Sequence, residues 1–251
     1  LVALASGQSD AAVKMAAAAV AEAPEQCLAW VTLGQALKAA GRIEEAERAY
    51  ASAVRLDGTN ALARTGMGEL KIAGRPQEAV RDFELALRRR PTLIAAHLGF
   101  GHALACMGRN EDALDRYQQA LALKPHLAEA EFAAGFVLAR MGRPKEAEVR
   151  YRRALAARPD FAAAWMNLGN LLREQGRELH AEAALLRAVE LRPDSIPGWL
   201  NLALLERERR RPEKAEAHLR RALGLNPDNV ETLVAWCQFC ANTGDAAGAR
   251  D

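Results

Sequence analysis

Residues 27–60 have the sequence CLAWVTLGQALKAAGRIEEAERAYASAVRLDGTN, and this stretch decides the fold because its pattern returns along the whole chain. The Gly-Arg pair that begins at Gly41 recurs at Gly74, Gly108, Gly142 and Gly176, with successive spacings of 33, 34, 34 and 34 residues. An alanine stands five residues after each of these glycines, and a proline usually stands seventeen residues after it. A fixed period of about 20 to 50 residues is typical of repeat architectures.

The residues before each Gly-Arg pair form an apolar stripe with helical spacing. In the first complete repeat the stripe contains Trp30, Leu33, Gly34 and Leu37, which follow one another at intervals of 3, 1 and 3 residues. Such intervals place side chains on one face of a helix. Each unit is therefore predicted to contain a helix of about a dozen residues, a tight turn, a second helix and a link that ends at proline.

With Trp30, Leu33, Gly34, Ala46, Tyr50 and Ala53 at these positions, the chain resembles the tetratricopeptide repeat family. The resemblance implies an all-α fold, a right-handed superhelical solenoid of stacked antiparallel helix pairs, over a single domain of residues 1–251. We expect six complete repeats and a partial repeat at each end. The complete repeats are 27–60, 61–93, 94–127, 128–161, 162–195 and 196–229, and the partial repeats are 1–26 and 230–251.

Two features of the repeats carry specific expectations. Glycines such as Gly34 recur at one position of the first helix, and we expect them to provide backbone clearance where the two helices of a pair approach each other. The second repeat is one residue short in its first helix, and Arg64 stands where other repeats have tryptophan. We therefore expect this repeat to pack less well than its neighbours.

The composition excludes several classes of protein. Lys plus Arg is 34 and Asp plus Glu is 32, so the net charge of +2 gives no reason to expect a nucleic-acid partner. No apolar run is long enough for membrane insertion. The four cysteines do not form a disulfide framework, which predicts a reducing compartment and a cytoplasmic location. Abundant Ala and Arg with few Lys indicates a bacterial source with a GC-rich genome.

No pattern for catalysis or metal binding is present in the sequence. Cys237 and Cys240 form a CxxC motif, but no second pair or nearby histidine completes a zinc site. No nucleophile with a positioned base and no glycine-rich phosphate loop is recognisable. We predict no catalytic residue, no metal and no cofactor for this chain alone. The arginine clusters, including Arg209 to Arg211, are expected to lie on solvated helix faces.

The family resemblance implies a concave groove lined by the first helix of each repeat. Transferring the family's contact positions one by one gives apolar candidates in the third and fourth repeats, where Phe132 and Phe136 are the preferred anchors, and polar candidates in the fifth and sixth. An alternative is that the two phenylalanines pack inward. The candidate ligand-binding residues are Leu98, His102, Phe132, Phe136, Arg140, Met166, Asn167, Asn170, Arg173, Asn201 and Leu204.

Asn170 and Asn201 have the spacing of the two asparagines in the family's carboxylate clamp, but the charged residues of that clamp are missing. Met166 replaces its first lysine, while Glu231 and Ala235 replace its last lysine and arginine. We therefore expect the two asparagines to contact a peptide backbone rather than a terminal carboxylate.

Three functions remain open from the sequence. The preferred one is a protein-protein interaction scaffold that binds a protein or peptide segment in the concave groove. The second is the recruiting region of a larger enzyme, such as a bacterial glycosyltransferase resembling O-linked N-acetylglucosamine transferases, or a sulfotransferase. The third is a scaffold that forms a homo-oligomer through its terminal repeats.

Overall fold

A computed structural model of the protein describes the backbone of residues 2–243 and the side chains of residues 9–241. This part of the chain contains fourteen helices and no strand. The helices are α1 (Val2–Glu22), α2 (Cys27–Ala39), α3 (Ile43–Leu56), α4 (Ala61–Lys71), α5 (Pro76–Arg89), α6 (Ile94–Cys106), α7 (Asn110–Leu123), α8 (Ala128–Arg140), α9 (Pro144–Ala157), α10 (Ala162–Glu174), α11 (Glu178–Leu191), α12 (Ile196–Glu208), α13 (Pro212–Leu225) and α14 (Val230–Thr243).

The helices pack in consecutive pairs. The most extensive contacts join α2 to α3, α4 to α5, α6 to α7, α10 to α11 and α12 to α13. Where contacts between helices are described, they reach no farther than the second helix along the chain. Such local packing is the arrangement of a solenoid. The all-α fold class predicted from the sequence is confirmed.

Glycine at the turn between paired helices has a backbone conformation that other residues rarely adopt. Gly41, Gly108, Gly142 and Gly176 have φ between 70° and 74°. After Gly41, the Arg42 N–H donates to the Leu37 carbonyl at 2.9 Å, which satisfies a carbonyl at the helix end. At these four positions the Gly-Arg pair that reveals the period in the sequence is therefore the helix C-terminal cap, whereas Gly74 does not have a positive φ.

An aromatic ring of the second helix explains why the neighbouring first helices have glycine at two positions. A Cβ added to Gly34 would lie 2.7 Å from the Tyr50 ring, and one added to Gly66 would lie 2.3 Å from it. Tyr50 is buried, so its ring occupies the space between these two glycines. The predicted reason for Gly34 is therefore wrong in its detail: the glycine gives clearance to a side chain rather than to another backbone.

Arg64 replaces tryptophan without losing the hydrogen bond that tryptophan makes. The indole N–H groups of Trp30, Trp165 and Trp199 donate to the carbonyl six residues earlier at 2.8 to 3.0 Å. Arg64 Nε donates to the Gly58 carbonyl at 3.0 Å in the same way. Its Nη1 also donates to buried Asp82 at 2.9 Å. The expectation that Arg64 weakens this repeat is therefore not supported, although α4 is shorter than its counterparts as predicted.

The chain divides into two compact units, residues 1–137 and 138–251. The first unit includes the core around Tyr50, together with Val31, Leu37 and Ala63. The second unit includes a core around Leu219, Phe239 and Cys240. The prediction of one domain with the repeat boundaries given above stays a prediction.

Candidate functional site

In the first unit, the predicted groove residues lie on α6 and α8. Leu98 is half-buried, and His102 is exposed with its ring 5.6 Å from the ring of Tyr117. Partial loss of hydration lowers the pKa of His102, and the negative charge of Glu69 opposes this shift. Phe132 is half-buried and Phe136 is 44% exposed. The predicted groove residues of this unit are therefore apolar apart from the imidazole of His102.

In the second unit, two of the predicted residues on α10 have structural partners. Asn167 forms a hydrogen bond with the Tyr151 hydroxyl, which partly offsets the effect of burial that raises the pKa of Tyr151 to about 12. Arg173 Nη1 donates to Glu208 at 2.6 Å, so this arginine connects α10 to α12. Both residues hold the protein itself together, which the sequence could not reveal because their partners lie in other helices.

Asn170, like Arg173 at its buried Nε atom, has a side-chain atom without a hydrogen-bond partner among the described residues. It is half-buried on α10, and its Oδ1 atom is buried without a hydrogen-bond partner among the described residues. Such an atom normally finds a partner, since leaving it unsatisfied costs about 1 to 3 kcal/mol. Met166 lies half-buried on the same helix, and Arg140 is exposed at the end of α8.

The structure brings two of the predicted residues, Asn201 and Leu204, into one pocket of about 320 Å³. Leu200 and Arg207, on the same helix, also line it. The opposite walls come from α13 and α14, and sequence reasoning missed them because all of these residues except Gln238 are small or apolar and resemble ordinary packing positions. They include Leu219, Ala235, Gln238 and Phe239.

The remaining sequence candidates have unremarkable surroundings in the described part of the chain. Cys237 is exposed, Cys240 is buried, and both are free thiols. No group of three or more metal-ligating side chains occurs among the described residues. None of the described helices is both long enough and apolar enough to cross a membrane. One arginine of the basic cluster is not solvated as expected, because the Arg209 side chain is 5% exposed and pairs with Glu182.

The repeats and the paired helices correspond to a known family. Four family models, each described as a tetratricopeptide repeat, match residues 3–70, 92–160, 132–196 and 196–239. The chain belongs to the tetratricopeptide repeat family. Among curated proteins, none matches the sequence of this tetratricopeptide repeat protein.

Solved structures similar to this tetratricopeptide repeat protein share its fold at low sequence identity. The APC/C hetero-tetramer Cut9-Hcn1 has a TM-score of 0.82 at 21% identity, over 94% of this chain and 46% of that chain. Pseudomonas aeruginosa pilF has a TM-score of 0.73 at 18% identity, over 86% of this chain and 97% of that chain. YrrB, described as a tetratricopeptide repeat protein with an unusual peptide-binding site, has a TM-score of 0.54 at 26% identity, over 74% of this chain and 97% of that chain.

Proposed function

We propose that this chain is a protein-interaction scaffold that binds an extended peptide segment along the first helices of its repeats. The observation that carries the proposal is the buried Oδ1 atom of Asn170, which has no hydrogen-bond partner among the described residues. A peptide backbone N–H is a donor that would satisfy it. The peptide-binding site named for YrrB is consistent with this class of function.

Each unit by itself offers a different kind of contact to a peptide. In the first unit, exposed Phe136 and half-buried Leu98 offer apolar contacts. In the second unit, Asn170 and Asn201 offer amide groups for backbone contacts. Apolar anchors provide most of the affinity in many interfaces, while side-chain amides orient the bound chain. The remaining candidates are proposed as further contacts with the peptide. They are His102, Phe132, Arg140, Met166, Asn167, Arg173 and Leu204.

The test is capture of binding partners from a lysate of the source organism with variants of the full chain. Asn170→Ala removes the unsatisfied oxygen and should lower the amount of the captured partner about tenfold, since one hydrogen bond to a peptide is worth about 1.4 kcal/mol. Phe136→Ala should weaken capture by roughly 2 kcal/mol if the ring is an anchor. Both variants should keep the helical circular dichroism of the wild type.

The matched control is Arg89→Ala, because Arg89 is exposed on α5, the second helix of its pair. Capture by this variant should equal that of the wild type. If Arg89→Ala releases the partners while Asn170→Ala and Phe136→Ala retain them, the proposed surface is wrong and binding uses the arginine-bearing helices.

A further inference from the structure

The pocket on the second unit lies where a leucine stands at a position that has an aromatic ring in the first four complete repeats. In the first repeat, Tyr50 fills the space between Gly34 and Gly66. The corresponding residues around the pocket are Leu219, Ala203 and Ala235, and all three line its wall. A leucine side chain is smaller than a tyrosine ring, so the space between the first helices of two consecutive repeats is not filled by the protein's own core.

The fifth repeat also has a leucine at this position, but there the leucine is accommodated differently. A Cβ added to Gly169 would lie 2.6 Å from Leu185 Cγ, so Leu185 packs directly on the glycine backbone. The sixth repeat has Ala203 in place of that glycine, so Leu219 shares its core cluster with an alanine methyl group where Leu185 meets a bare glycine backbone. The combination of alanine and leucine is therefore specific to the repeat that has the pocket.

Arg207 adds a positive charge to this pocket, and it is not neutralised as its counterparts are. At the same position of earlier repeats, Lys38 pairs with Glu69 on the next first helix, and Arg173 pairs with Glu208. The residues of α14 that correspond to these two glutamates are Gln238 and Asn242, which carry no charge. Arg207 makes no ion pair with any residue in the described part of the chain. A carboxylate from a ligand would supply the missing partner.

We infer that the pocket binds a bulky apolar side chain of a peptide that carries an aspartate or glutamate within two residues of it, with the acidic side chain paired to Arg207. The inference rests on the proposed function and specifies its ligand. The volume of about 320 Å³ and the apolar walls formed by Leu200, Leu204 and Phe239 suit a leucine or an aromatic side chain. Asn201 lies beside the pocket, where its amide can contact the peptide backbone.

A library of random dodecapeptides displayed on phage, selected on the immobilised full chain, tests the inference. The selected peptides should share a bulky apolar residue with Asp or Glu one or two positions away. A synthetic peptide of the selected sequence should bind in fluorescence polarisation, and replacement of its acidic residue by the corresponding amide should lower affinity about tenfold.

Two variants of the protein assign the contacts. The double variant Ala203→Gly/Leu219→Tyr rebuilds the combination of the third repeat, where Tyr117 lies against Gly101 and Ala133 stands at the position of Ala235. It should therefore fold, fill the pocket and reduce peptide affinity at least tenfold. Arg207→Gln should reduce affinity about tenfold and abolish the preference for the acidic peptide over its amide. The control is Arg187→Gln, since Arg187 is exposed on α11 and pairs with Glu190 on the same helix. Thermal unfolding followed by circular dichroism establishes that each variant is folded.

Several results would overturn the inference. Undiminished binding to the folded double variant would mean that the peptide lies outside this pocket, while the wider proposal based on Asn170 would stand or fall by partner capture. An unchanged acidic preference in Arg207→Gln would remove the role of this arginine. If binding depends on the free C-terminus of the peptide and is lost on amidation, the carboxylate that pairs with Arg207 is the C-terminal one and not an acidic side chain. A selection that enriches no peptide would also contradict the pocket's assignment.

Discussion

Tyr50 illustrates how one buried side chain determines the identity of residues in two other helices. Its ring lies close to Gly34 on α2 and Gly66 on α4, where any added Cβ would overlap it. Glycine inside a helix costs about 1 kcal/mol relative to alanine. The two glycines are tolerated because burial of the Tyr50 ring stabilises the fold by more than this cost. At these positions, helix propensity is outweighed by packing between side chains.

The first prediction concerns Gly66. Gly66→Ala places a Cβ 2.3 Å from Tyr50 Cζ, and it should destabilise the protein by about 1 to 3 kcal/mol despite the better helix propensity of alanine. The control is Gly224→Ala on α13, where no atom lies within 4 Å of the added Cβ. That variant should be neutral or more stable by up to about 1 kcal/mol. Urea unfolding measures both, and a stabilised Gly66→Ala would contradict the role given to Tyr50.

At the scale of the element, α4 has Arg64 in place of the tryptophan of other repeats, and Asp82 of the next helix binds the charge that this arginine adds. The buried Asp82 on α5 accepts hydrogen bonds from Arg64 at 2.9 Å and from Lys71 at 2.7 Å. Both cations are largely screened from water, with 24% and 12% of their side chains exposed. The group of three charges therefore holds the short helix α4 to its partner α5.

Removal of the central carboxylate should be costly. Asp82→Ala leaves the Arg64 and Lys71 charges without their shared partner in a poorly hydrated place, and we expect a loss of about 3 kcal/mol in the free energy of unfolding. Asp112→Ala removes an exposed pair with Arg109 and should cost no more than about 0.5 kcal/mol. Similar losses for the two variants in urea unfolding would show that Asp82 is not the centre of this contact.

The helical pairs were predictable from the sequence because their signals are local. Gly41, Gly108 and their equivalents recur at a fixed period, and the apolar stripe before each one has helical spacing. The partner of Arg64 was not predictable, because Asp82 lies eighteen residues away and is one of many charged residues on its helix. The pocket was missed for a related reason, since Leu219 becomes informative only when the neighbouring Ala203 and Ala235 are known to face it.

At the scale of the whole molecule, the contacts described between helices are local, and local contacts make stability a sum of local contributions. Where contacts between helices are described, none extends beyond the second helix along the chain. Repeat proteins with this property open region by region rather than in one transition. A substitution should therefore affect its own repeat and the nearest ones most.

Ala147→Phe tests this locality, because Ala147 is fully buried on α9. A phenyl ring there should cost about 1 to 3 kcal/mol or more. Hydrogen exchange should show lost amide protection in α9 and α10, with α2 and α3 unchanged. Arg153→Ala, an exposed change on the same helix, should leave exchange as in the wild type. Loss of protection spread evenly over all helices would mean that the protein unfolds as a single cooperative unit.

The hydrogen bond to the carbonyl six residues earlier has a consequence for how such a chain can diverge. Trp30, Arg64 and His97 differ in size, charge and aromaticity, yet each reaches that carbonyl at 2.8 to 3.0 Å. Since a carbonyl oxygen only accepts, His97 contributes its Nε2–H tautomer. In these repeats the position thus requires a donor of a given reach rather than a particular residue, whereas the fourth repeat has Glu131 and the last partial repeat has Leu233 there. A search for such repeats by residue identity overlooks this equivalence, whereas a search by donor chemistry would group the three residues together. Recombination between repeats could exchange them while keeping the hydrogen bond to the carbonyl.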